Sequence, residues 1–323
     1  MKLCKGAILA LAVSYGLTYC HTTKSKLTLE QKSDSLTVIH ITNPTNYILL
    51  PIEEEAAESQ VLLDTGEATD TDMDIRLAQT QVDYFVPFAL PTGVKTATVC
   101  VRNKSKDALC WKEIKLSDTF DTANTEKFRP VYHHTPLYGW MNDANGLVYK
   151  YGEYHLYYQY NPYGSKWGNM HWGHSVSKDL MHWEHLAPAI ARDTLGHIFS
   201  GSSIVDQENM AGYGAGSILA FYTSASDRQV QSMAYSLDNG KTFKKYARNP
   251  ILTSTQRDFR DPKVFWHDAT DKWIMILAVG QEMQIYSSAN LKDWAYESSF
   301  GEGQGAHGGV WECPDLIEPV SYT

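Results

Sequence analysis

Apolar and β-branched residues in this chain alternate with polar ones or gather in short runs, and Gly, Pro, Asn and Asp close the runs. That pattern belongs to strands joined by turns rather than to amphipathic helices. The N-terminal third has such runs at residues 36–41, 47–52, 75–77, 82–88 and 96–101. They predict a small β-sandwich over residues 24–118. It contains no catalytic pattern, and Glu53-Glu54-Glu55 and the Asp/Thr cluster at 64–74 read as solvated loops. Residues 119–129 are polar and lack an apolar period, which predicts a linker.

From residue 130 the β pattern repeats. Ser177-Lys178-Asp179-Leu180-Met181-His182-Trp183 has counterparts in Ser236-Leu237-Asp238-Asn239-Gly240-Lys241-Thr242-Phe243 and in Ser288-Ala289-Asn290-Leu291-Lys292-Asp293-Trp294. A second phrase also recurs: Asp143 and Asp261 each open a strand-like run that turns back into another. A repeat of about 50–60 residues built of short strands predicts β-propeller blades, with one large β-sandwich as the alternative the period leaves open.

Lys2 and Lys5 precede an apolar stretch at 6–17, too short to span a bilayer. Residues 1–20 read as a secretory signal peptide. Leu17-Thr18-Tyr19-Cys20 resembles a bacterial lipobox with a departure at Tyr19, so lipidation of Cys20 and an exported, periplasmic or cell-surface location are expected. Plain secretion and a buried apolar helix are the other readings. Cys100 and Cys110 flank a turn-like segment and suit either a cross-hairpin disulfide or two buried thiols. No cysteine or histidine spacing suits zinc. The net charge of −9 argues against a nucleic-acid partner, and the membrane enters only through the anchor.

The first strand of a propeller blade lies next to the central axis, so residues at the starts of these strands converge. Asp143 and Asp261 open two of them, and Glu312, just before Pro314, opens a third predicted strand. Glycoside hydrolysis requires a pair of carboxyl groups, one of them kept protonated by its surroundings. Trp311, Cys313 and Pro314 offer Glu312 an apolar setting. Trp140, Trp167, Trp172, Tyr158, Tyr160 and Phe199 lie in the same regions and suit sugar stacking, although core packing explains most such aromatics.

Trp140-Met141-Asn142-Asp143-Ala144-Asn145-Gly146 resembles the W-M-N-D-P-N-G signature of glycoside hydrolase family 32, the invertases, levanases, inulinases and other β-fructosidases, with Ala144 in place of Pro. Tyr158-Gln159-Tyr160-Asn161-Pro162, Trp167 to His174, Phe199-Ser200-Gly201-Ser202, Arg260-Asp261-Pro262 and Trp311-Glu312-Cys313-Pro314 match in family order. The match covers residues 128–323, and an extra N-terminal β-domain is similar to that of some bacterial members.

The resemblance implies an all-β chain with a five-bladed propeller and a retaining mechanism that needs neither cofactor nor metal. Asp143 would be the nucleophile, Glu312 the acid/base, and Asp261 a binder of fructose hydroxyls. Asn142, Gln159, Trp167, Phe199, Ser200 and Arg260 would bind the substrate, a fructan (levan or inulin) or sucrose. Retention implies a separation of roughly 5–5.5 Å between the carboxyl groups of Asp143 and Glu312. Residues 130–323 amount to only about three and a half blades of that length, so a partial propeller of low stability and weak activity is expected. The other readings are a non-catalytic carbohydrate-binding propeller, a hydrolase of arabinose or xylose polymers, and a fructosyltransferase.

Overall fold

The computed structural model describes residues 24–67, 70–123, 127 and 129–317, so the signal peptide expected at 1–20 and the lipidation expected at Cys20 lie outside the described residues. The first part is two packed antiparallel sheets. Strands β1 (Lys26–Ser33), β2 (Leu36–Thr42), β4 (Ser59–Asp64), β5 (Met73–Ile75) and β7 (Thr96–Arg102) form one, in the order β1-β2-β7-β4-β5. Strands β3 (Tyr47–Ile52), β6 (Tyr84–Ala89) and β8 (Lys115–Ser117) form the other, in the order β6-β3-β8. Alternate residues of facing strands, among them Ile39, Ile41, Val99 and Val101 against Ile48, Leu50, Val86 and Phe88, make the core. The pattern of the sequence missed β1 because nearly all its residues are exposed.

Cys100 and Cys110 are free thiols. The turn after β7 leads not into a partner strand but into the helical turn Cys110–Glu113, which buries Cys110. Burial pushes the Cys110 thiol up to about 12.

Three four-stranded antiparallel sheets follow, each a blade. Blade one comprises β9 (Trp140–Lys150), β10 (Glu153–Asn161), β11 (His171–Ser177) and β12 (Glu184–Ile190). Blade two comprises β13 (His197–Asp206), β14 (Ser217–Ala225), β15 (Gln229–Ser236) and β16 (Lys244–Lys245). Blade three comprises β17 (Phe259–His267), β18 (Lys272–Val279), β19 (Glu282–Ser288) and β20 (Ala295–Phe300). The second strands are sandwiched between neighbours, and every residue of β14 is buried. Tyr157, Trp172, Ile198 and Tyr222 join blades one and two; Leu219, Phe221, Phe259 and Met275 join two and three.

The repeated Ser phrase is the turn after the third strand of each blade. Its serine hydroxyl accepts backbone N–H groups, from Leu180 to Ser177 and from Leu291 to Ser288 (2.8 Å each), and from Gly240 to Ser236 (2.8 Å). Residues 311–317 form no strand, contrary to the inner strand predicted to open at Pro314. Cys313 adopts φ +46°, and isolated hydrogen bonds, such as Trp311 N–H to the Gly280 carbonyl (2.8 Å), hold the segment in place of a ladder.

Candidate active site

The inner strands β9, β13 and β17 share an irregularity at the same level. In β9, Asn142 pairs with Gln159 and Ala144 with Tyr158, so Asp143 is an extra residue. In β13, Phe199 and Ser200 lie between the paired positions Ile198 and Gly201, opposite Thr223 alone. In β17, Asp261 and Pro262 lie between Arg260 and Lys263, opposite Leu277 alone. Each is a β-bulge, which re-aims a side chain. Asp143 and Asp261 take positive φ, +28° and +61°, a costly backbone for residues other than Gly that the flanking ladders hold in place. Gly201 permits the bulge of β13, because a Cβ there would lie 1.9 Å from the Phe221 carbonyl oxygen.

These bulges open onto a cavity of about 400 Å³ lined by Asn142, Asp143, Gln159, Trp167, Phe199, Gln229, Asp258, Arg260, Asp261 and Glu312. All three predicted carboxylates are therefore brought together. Asp143 is exposed to the cavity, and its Oδ2 accepts a hydrogen bond from the Ser200 hydroxyl (3.1 Å). Ser200 in turn accepts from Gln159 Nε2 (2.6 Å). Ser200 is buried and lies behind Asp143, bonded to it, next to the residues that line the cavity. Trp140 Nε1 donates to Asn142 Oδ1 (2.8 Å) and orients that amide.

Asp261 is buried, 5% exposed. Its Oδ2 accepts the Cys313 N–H (2.9 Å), and its own N–H donates to Thr223 Oγ1 (3.1 Å). Burial raises its pKa above the usual carboxylate value, and the Glu312 and Asp143 charges add to this; the Cys313 N–H and Arg260 oppose it. Arg260 is the hub. Its guanidinium contacts Asp258 (2.7 Å) and Glu312 (2.9 Å) and stands 3.9 Å from Asp261 Oδ2. Burial disfavours the Arg260 charge, but these carboxylates outweigh it and raise its pKa. Desolvation, and then the Asp261, Asp143 and Glu312 carboxylates, push the Cys313 thiol up to about 12, which disfavours its thiolate.

Glu312 departs from expectation. Its side chain is 64% exposed and ion-paired, not set in an apolar pocket. The Trp311 indole turns away toward the 301–307 loop, donating to the Ala306 carbonyl (2.8 Å) and packing on His307. Two lining residues were not read from the sequence, Gln229 and Asp258. Gln229 accepts the Phe259 N–H (2.9 Å) and so fixes the start of β17; Asp258 holds Arg260. Neither falls in a repeated phrase, though Asp258 stands two residues before the motif arginine. Among the described residues no group of three or more His, Cys, Asp or Glu side chains could hold a metal ion.

Comparison with known proteins gives this geometry a context. Residues 133–321 match the glycosyl hydrolases family 32 N-terminal domain, and residues 33–132 match a domain of unknown function, DUF4980. A levanase of Bacillus subtilis is 57% identical over 198 residues, covering 60% of this chain and 29% of the relative. An extracellular exo-inulinase of Aspergillus awamori is 42% identical over 225 residues, covering 60% of this chain and 42% of the relative. Among solved structures, a fructofuranosidase of Schwanniomyces occidentalis complexed with fructose superposes with a TM-score of 0.58 at 44% identity, covering 60% of this chain and 41% of that one. The chain thus spans less than half the length of these relatives. Its propeller blades, its bulged carboxylates and a family match over more than half its length place the chain in glycoside hydrolase family 32.

Proposed function

We propose that the protein cleaves β-fructofuranosidic bonds in fructans such as levan or inulin, or in sucrose, by a retaining double displacement. The observation that carries this reading is the convergence of Asp143, Asp261 and Glu312 on one cavity around Arg260. Relatives named levanase and exo-inulinase support the substrate class.

In the first step the Asp143 carboxylate attacks the anomeric C2 of fructose. The bond from C2 to the leaving oxygen breaks as Glu312 delivers a proton to that oxygen. In the second step Glu312 takes a proton from water, whose oxygen attacks C2, and Asp143 departs as carboxylate. The Gln159–Ser200 chain aims Asp143, because the Ser200 hydroxyl donates to its Oδ2 and leaves Oδ1 for the attack. Asp261 binds fructose hydroxyls, Arg260 places Asp261 and Glu312, and Asn142, Trp167 and Phe199 complete the fructose site. No cofactor enters the reading. Water as acceptor gives hydrolysis.

The domain plan belongs to the same proposal: a signal peptide at 1–20 with Cys20 lipidated, a sandwich domain at 24–118, a linker at 119–129 and the propeller from 130. Export fits the relatives named extracellular. Fructose release from levan, inulin and sucrose by the protein, beside its Asp143→Ala variant, tests the activity. Release that vanishes in the variant is expected, and release that persists would remove Asp143 from its role.

A further inference from the structure

A second cavity, of about 240 Å³, lies between the sandwich and blade one, beside the candidate active site. The sandwich contributes Glu54, Glu58, Asp74 and Arg76; the segment between β10 and β11 contributes Lys166, Trp167 and Asn169. Trp167 is shared, since its side chain also lines the cavity of the three carboxylates. The indole is 51% exposed and is flanked by His197 (ring centroids 5.6 Å apart) on the side of the second cavity and by Phe199 (5.9 Å) on the side of the first. It forms a wall between two spaces, not part of a core.

The sandwich is fixed against this segment. Asn169, buried, accepts the Asp74 N–H (2.9 Å) and donates to the Asp74 carbonyl (2.8 Å), bridging the two parts as a strand would. Lys166 reaches the Glu54 carbonyl and the Glu55 carboxylate (2.9 Å each), and Glu54 accepts from the Tyr84 and Ser165 hydroxyls. The acidic run expected to be a solvated loop is therefore the joint.

The charges around the second cavity are already paired: Arg76 with Glu58 (2.7 Å), Lys166 with Glu55, and Asp74 with Arg192 (3.6 Å). Little net field remains to hold an ion. What the lining presents is an indole wall together with fixed donors and acceptors at half-exposed side chains, which suits the apolar C–H face and the hydroxyls of a neutral sugar. We infer that the DUF4980 sandwich supplies one wall of an outer subsite, across Trp167 from the reacting fructose, that binds further sugar units of a fructan chain. This rests on the proposed fructan cleavage and assigns the sandwich a part in chain-length preference.

The test uses the protein and its Arg76→Ala and Glu58→Gln variants, with kcat and KM measured on levan and inulin and, separately, on sucrose. KM for the polymers should rise about tenfold, as the loss of a hydrogen bond by a charged group implies. Sucrose, which offers only two sugar units, should keep its kcat and KM within about twofold, and so report intact folding. An equal loss on polymer and sucrose would assign the sandwich a merely structural role, and no change on either would empty the subsite; both overturn the inference. Absence of turnover on all three substrates by the unsubstituted protein would instead overturn the proposed function. A length series of fructo-oligosaccharides titrated calorimetrically into the Asp143→Ala protein provides a readout free of turnover: affinity should grow with length, and the growth should be lost with Arg76→Ala.

Discussion

The main-chain N–H of Cys313 donates to Oδ2 of Asp261 over 2.9 Å, so the residue next to Glu312 is tied to the buried carboxylate of β17. One hydrogen bond thereby sets the spacing between the acid/base candidate and the sugar-binding candidate. Asp261→Asn keeps the shape, but it halves the acceptor capacity and places an amide where Cys313 N–H and the sugar hydroxyls both need an oxygen. We expect kcat/KM to fall by about 10²-fold or more, since hydrogen bonds that strengthen in the transition state contribute several kcal/mol. Steady-state kinetics on sucrose, with a melting curve to confirm folding, check this.

Ser200 relays the Gln159 amide to Asp143. Ser200→Ala removes the hydroxyl and leaves the Asp143 carboxylate free to turn. Losing a hydrogen bond to a charged group implies a fall in kcat of about 10–100-fold with KM little changed. A rise in KM at constant kcat would make Ser200 a substrate-binding residue instead.

Several histidines of the propeller are held neutral. Burial pushes His134 down to about 4, helped by His185 and Arg129. Burial likewise pushes His174 down to about 3, helped by His155, and His197 down to about 4, helped by Arg192. Their ordinary value is 6.5. The unfolded chain therefore takes up protons between about pH 6.5 and 4 that the folded chain refuses, so these groups lower stability as pH falls through that window and contribute no loss above it. The melting temperature should decline from pH 6.5 to 4, and His174→Gln should flatten the decline. A flat profile would contradict the assignment of neutral, buried rings.

Gly201 lies where the bulge of β13 meets β14, and a Cβ would lie 1.9 Å from the Phe221 carbonyl. Main chain cannot step aside as a side chain can. Gly201→Ala should cost about 1–3 kcal/mol of stability and displace Ser200, lowering activity as well. Chemical denaturation beside kinetics reads both effects.

Much of this was legible because turns and bulges need specific residues. The Ser phrases marked the third-strand turns, since a hydroxyl capping backbone N–H groups suits them, and Leu180, Asn239 and Leu291 adopt positive φ there. Asp143 and Asp261 were legible through the motifs that surround their bulges. Other features depend on distant partners and leave no local pattern. β1 has only Leu27 and Leu29 among polar, mostly exposed residues, and its strand is built by pairing with Leu36–Thr42. Gln229 reaches the site through the N–H of Phe259, a residue remote in sequence. Glu54 looked solvated because Tyr84 and Ser165, which bury it, are far along the chain. The environment of Glu312 was misread for a related reason: adjacency to Trp311 does not fix where the indole packs.

The central claim is that Asp143 forms a covalent fructosyl intermediate with Glu312 as its acid/base partner. The most direct measurement is the anomeric form of the fructose first released by the protein, followed by NMR before mutarotation. The account predicts the β anomer, formed by two inversions at C2. The α anomer appearing first would mean direct displacement by water and would contradict it.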